Sequence, residues 1–172
     1  MIELLNFKII LVGAALLTLV LFENIFPKEV IKLKIKIKRT LKNVFLWLLN
    51  IGLTPILILP ITIAATSLNL HNFFIIENII IQFLFHLIIY DIFLYFWHRA
   101  NHEIPFLWRF HHVHHLDETL DVSSGIRFHF GEVILSTIVR CIIIIIFNIS
   151  LLNLILIETI VLTSSVFHHS NI

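Results

Sequence analysis

The chain has 172 residues, 59% of them hydrophobic and only 13% charged, with a mean hydropathy of +1.00 and a formal net charge of +1. A soluble core could not use so much apolar surface, and several apolar stretches are long enough to cross about 30 Å of hydrocarbon as helices, so the composition describes an integral membrane protein. The near-neutral charge makes no case for nucleic acid, and the single cysteine, Cys141, excludes an internal disulfide.

The first predicted element is an apolar run from Ile9 to Phe22, flanked by Lys8 and Glu23, which reads as a first span or an uncleaved signal anchor. Phe26-Pro27-Lys28 follows it in place of a small-residue cleavage site. Seven of the twelve basic residues then crowd into one segment: Lys28, Lys32, Lys34, Lys36, Lys38, Arg39 and Lys42. From Ile31 to Lys38 apolar and basic residues alternate, a period of two that suits a half-buried strand and suits equally lysines reaching toward anionic headgroups; the membrane-surface reading is preferred. Residues 1–43 are thus taken as an N-terminal span with a basic juxtamembrane segment, which the positive-inside rule places on the cytoplasmic side.

Residues 44–172 form the second unit. Val44 to Ser67 is a second span, with Pro55 and Pro60 expected to kink or break it. A polar turn, Asn69 to Asn72, leads to a third span, Phe73 to Trp97, whose Glu77, Gln82, His86 and Asp91 are expected to face the bundle interior. The stretch from His98 to Glu132 is polar and rich in histidine. Val133 to Val166 is apolar for 34 residues with a soft centre at Asn148-Ile149-Ser150, which predicts a helical hairpin, one long tilted helix being the weaker choice. The fold class is all-α: a bundle of about four transmembrane helices carrying a cytosolic, histidine-rich helical cap. Tracing the spans from a cytoplasmic basic loop returns every histidine from His98 onward to the cytoplasmic side, in a bacterial inner membrane or an endoplasmic reticulum, while His71 lies opposite and His86 within a span.

Six histidines fall within eighteen residues: His98, His102, His111, His112, His114 and His115. Imidazoles this dense repel one another when protonated and cost free energy when desolvated without a partner, so a shared metal is the economical explanation. His98 and His102 project from one face of a helix, if the third span continues past the membrane surface. The run His111-His112-Val113-His114-His115 offers donors in more than one direction, as two ions require. His129 with Glu132, and His168 with His169, add further ligands. Nitrogen donors without a cysteine cluster disfavour thiolate zinc and iron–sulfur centres and leave iron, zinc, copper and nickel open.

These motifs together resemble the membrane-bound fatty acid hydroxylase and sterol desaturase superfamily. His98-Arg99-Ala100-Asn101-His102 matches its H-R-x-x-H box, and Arg109-Phe110-His111-His112-Val113-His114-His115 its R-F-H-x-V-H-H box, with His111, His114 and His115 as ligands. Arg127, His129 and Glu132 match an R-x-H-x-x-E stretch, and Phe167, His169 and Asn171 an F-x-H-x-N stretch. The resemblance implies two iron ions, for which zinc can substitute, held by His98, His102, His111, His114, His115, His129 and His169, the first five also being the catalytic set. It implies O₂-dependent hydroxylation or desaturation of a fatty acyl chain or sterol, with electrons from an external donor of the cytochrome b5 or ferredoxin type. The family's third box, H-x-x-H-H, is not reached by Ile172, so a truncated or fragmentary member is expected, with a non-catalytic relic as one alternative.

Two further classes are open. A bis-histidine haem protein needs axial histidines on facing spans, whereas nearly all of these lie just outside the spans. A metal-binding or transport protein needs ionisable residues along a path through the bilayer, for which Glu77, His86, Asp91 and Glu158 are the candidates.

Overall fold

The computed structural model describes residues 2–68 and 76–172, and within them every regular element is helical. The polar turn at Asn69 to Asn72, His71 included, lies outside the described residues. Helix α1 spans Ile2–Ile25 and α2 spans Leu33–Leu53. The alternating basic segment is therefore the opening of a helix, and Lys36 turns back to pair with Glu23 at 3.1 Å.

Neither proline of the second span breaks it. After α2 the chain passes through a π-helical turn, Thr54–Ile58, directly into α3, Leu59–Ser67. Proline cannot donate to the ladder, and the wider register of the π turn, closed by Leu59 N–H donating to the Thr54 carbonyl, accommodates that loss around Pro55.

Helix α4 runs from Ile79 to Glu103 and is capped by the Asn78 side chain, which accepts from the amides of Ile80 and Ile81. Its 25 residues measure about 37 Å at 1.5 Å each, more than the hydrocarbon thickness, so it is long enough for its last, histidine-bearing turn to extend past the hydrocarbon. Pro105 ends it and opens α5, Pro105–His115, at a first-turn position where a missing N–H costs nothing.

After a loop and a 3₁₀ turn at Ser124–Ile126, α6 spans Phe130–Phe147 and α7 spans Leu151–His169. Asn148 closes α6 in the left-handed region at φ 50°, and Ser150 caps α7, so the long apolar stretch is a helical hairpin. Among the described residues, five helical segments are long and apolar enough to cross a membrane: 6–25, 33–67, 79–103, 130–147 and 151–169.

The core lies where α3, α4, α6 and α7 meet, around Tyr90, Ile143, Ile144, Ile149, Leu154 and Ile157. The outward face of α4 presents Ile80, Leu84, Ile88 and Ile92, an exposed stripe at helical spacing that suits lipid contact. Of the polar residues on this span, His86 turns inward to Asn153, 3.1 Å away, whereas Glu77 and Asp91 are exposed.

Polar bonds anchor the loop after α5. Asp117 accepts from Arg39 and, at 2.9 Å, from Asn43; Arg127 donates to Asn43 at 2.9 Å; and Glu23 accepts from the amide of Val122 at 2.7 Å. Gly125 lets this loop touch α7, since a Cβ there would fall 2.9 Å from Val166 Cα.

Candidate metal centre

Helix α4 brings His98 and His102 to one face, their Nε2 atoms 3.1 Å apart. Helix α5 does the same for His111 and His115, whose Nε2 atoms are also 3.1 Å apart. One ring nitrogen from each of the four lies within 4.8 Å of the others. Metal–imidazole bonds of about 2.0–2.1 Å place two ligands of one ion at most about 4 Å apart, so this set needs only slight contraction to hold an ion.

A second pair stands beside the first. His114 and His169 approach to 2.9 Å between Nε2 atoms, and the His114 ring centroid is 5.6 Å from that of His111. His111 and His114 are both buried.

Hydrogen bonds at the far side of the rings select the tautomer. Nδ1 of His114 faces the Arg127 carbonyl at 3.1 Å, and Nδ1 of His169 faces the Ser165 carbonyl at 2.6 Å. A carbonyl only accepts, so each Nδ1 carries the proton and each Nε2 keeps a free lone pair. Two such lone pairs 2.9 Å apart repel unless a cation lies between them. Glu132 plays the same part for His111, with Oε1 2.7 Å from Nδ1.

Burial pushes the pKa of His114 down to about 4, helped by neighbouring His169 and opposed by the bond to the Arg127 carbonyl. Burial, then the nearby His111, His102 and His169, also lowers that of His115. Both imidazoles are therefore neutral at physiological pH, the form that binds metal. At Asp117 burial acts upward, but hydrogen bonds from Arg39, Asn43 and Ser124 prevail and hold its carboxyl below the usual range.

The motif residues serve distinct purposes. Arg127 donates to the Val113 carbonyl at 2.7 Å while its own carbonyl orients His114. Asn171 binds both the amide and the carbonyl of Glu29, at 3.0 and 2.8 Å, and so fastens the end of α7 beside the α1–α2 connection. His129 stands apart from both groups: its ring packs on Phe110 and Phe130, and its Nδ1 accepts from Gly131 N as the cap of α6. His112 bonds carbonyls of its own helix, and Arg99 pairs with Glu103 on an exposed face. Among the described carboxylates near the cluster, Glu132 meets a ring, that of His111, whereas Asp91 is exposed and Asp117 braces the loop.

From the rings a cavity of about 450 Å³ extends between the helices, lined first by His98, His111, His114 and His169 and by apolar residues such as Leu94 and Val133. At its other end are Tyr90, Arg140, Glu158 and Lys8. Sequence reasoning places Arg39 only in the basic juxtamembrane segment and passes over Asn43 and Arg140; for Arg140 the available signal is a charge inside an apolar run.

The fatty acid hydroxylase family model matches residues 83–172, just over half of the chain, and this stretch contains all six converging histidines. No curated protein matches, and no solved structure does.

Proposed function

Because the chain belongs to the fatty acid hydroxylase family, we propose that it is a membrane-bound non-haem iron oxygenase that attacks a C–H bond of a lipid, a fatty acyl chain or a sterol, by hydroxylation or desaturation. The observation that carries this reading is the convergence of six imidazoles, at least two with Nε2 left unprotonated by a carbonyl on the other side of the ring, at the mouth of an apolar cavity.

His98, His102, His111 and His115 would hold one ion, and His114 with His169 would contribute to a second. His129 is the remaining candidate ligand, reached only if its ring leaves its cap position. All-nitrogen ligation suits iron and also accepts zinc. When bound, iron supplies O₂ activation and oxidising power, with electrons from an external donor of the cytochrome b5 or ferredoxin type.

The chain's own residues do the rest. Glu132 and the carbonyls of Arg127 and Ser165 keep the rings aimed and in one tautomer. Leu94, Val133, Val161 and Leu162 offer the lipid an apolar wall that excludes water and limits its motion beside the rings. With the basic segment of residues 28–42 facing the cytoplasm, the donor would approach from that side.

The test is O₂-dependent oxidation of lipid by the full-length protein in liposomes with a reductant and ferrous iron. Oxidised lipid that disappears in His98→Ala and His114→Ala is the expected result. Unchanged turnover in either variant contradicts the assigned roles.

A further inference from the structure

The far end of the cavity holds an ionic group that metal binding does not use. Glu158 on α7 is bonded by Lys8 Nζ of α1 at 2.6 Å, by Arg140 Nη1 of α6 at 2.9 Å, and by Tyr90 Oη of α4 at 3.4 Å. Both carboxylate oxygens are thereby engaged. Arg140 also donates to Thr137 Oγ1 at 2.8 Å and to the Ser136 carbonyl at 3.3 Å. Donors are left over on both cations, since a guanidinium has five N–H groups and an ammonium three.

The group does not balance. Two cations meet one carboxylate inside helices that cross the membrane, and a net charge in that setting is costly unless a counter-ion joins it. Lys8, Arg140 and Glu158 are each 21–25% exposed at the side chain, and all three line the cavity. A brace between helices would need one cation for one anion and no opening. The cavity that reaches the histidines also reaches the surplus donors.

We infer that Arg140 and Lys8 form a lipid-carboxylate site that holds the acid end of the substrate while its chain extends to the histidine cluster. This deepens the proposed function and rests on it for the word substrate. Arg140 is eight residues from Glu132 on α6, and Tyr90 eight from His98 on α4, each about 12 Å of helix. The site therefore makes the enzyme count from the carboxylate to a remote carbon. The carbon next to the acid, held at the far end, stays out of reach of the rings.

Binding of palmitate, methyl palmitate and hexadecanol to the purified full-length protein, measured without reductant, tests this. Palmitate should bind about tenfold or more tightly than the ester or alcohol, the worth of one charge-assisted hydrogen bond. That preference should vanish in Arg140→Gln and in Lys8→Gln and persist in Arg140→Lys. Equal binding of acid and ester by the unaltered protein overturns the inference, and that comparison needs no variant to fold. A preference that survives both glutamine substitutions overturns it too, because the carboxylate is then held elsewhere. An intact acid preference without any lipid oxidation would contradict the proposed function alone; oxidation of lipids with no acid preference would contradict the carboxylate site alone.

Discussion

Glu132 on α6 and His111 on α5 are joined by a 2.7 Å contact between Oε1 and Nδ1, buried on both sides. It ties the helix that begins the closing hairpin to the helix that carries three of the clustered histidines, and it aims the Nε2 of His111 at His115. Glu132→Ala removes the acceptor, not the ligand. Metal affinity should fall about 10- to 100-fold with helix content unchanged, as judged by metal titration alongside circular dichroism.

Asp117 is the joint between the loop and α2. Its side chain is 2% exposed and its partner Arg39 12%; without it, Arg39 keeps Asp121, 3.3 Å away, as a carboxylate partner, while Asn43 and Ser124 lose an acceptor. Asp117→Ala should cost about 2 kcal/mol of stability, seen as a lower midpoint in thermal unfolding and as faster proteolysis between residues 116 and 129. Because Asn43 also holds Arg127, whose carbonyl orients His114, metal affinity should weaken in the same variant.

Metal retention should resist acid. An ordinary histidine is half protonated near pH 6.5 and then competes poorly for metal. Burial disfavours the imidazolium of His114, so its proton leaves at about pH 4 and the neutral ligand persists well below the usual range. The loss of metal affinity in His114→Ala should therefore be as large at pH 5 as at pH 7. An effect of this substitution that fades below about pH 6.5 would contradict the buried setting assigned to that ring.

His129 separates capping from ligation. Its Nδ1 caps α6 by accepting from Gly131 N at 3.0 Å. His129→Ala should lower stability by about 1 kcal/mol, the usual worth of a cap, and leave metal stoichiometry unaltered. Loss of an ion in this variant would make His129 a ligand, as its place in the R-x-H-x-x-E stretch implies.

The parts of the fold readable in advance are those set by local rules. Spacing of four puts His98 beside His102 and His111 beside His115 on any helix, and Asn148-Ile149-Ser150 supplies both a left-handed stop and a cap for the next helix. The start of α2 at Leu33 is less legible because eight alternating residues are a short pattern, and the contact of Lys36 with Glu23 that supports the helix comes from α1. Pro55 and Pro60 mislead because a π turn absorbs the first and the second falls at the start of α3. Arg39 and Asn43 belong to no motif; their partners lie 74 to 85 residues further on, and only the folded chain brings them to the histidines. Arg140 was visible as an intramembrane charge, but its meaning depends on Lys8 and Glu158 meeting it across two other helices.

The central claim is that imidazoles from α4, α5 and α7 converge to bind redox-active ions. Elemental analysis of the full-length protein, purified in detergent under conditions that retain labile metals, tests it most directly. The account predicts stoichiometric iron, or zinc in its place, that is lost from His111→Ala. Protein that is folded and free of any stoichiometric transition metal would contradict it.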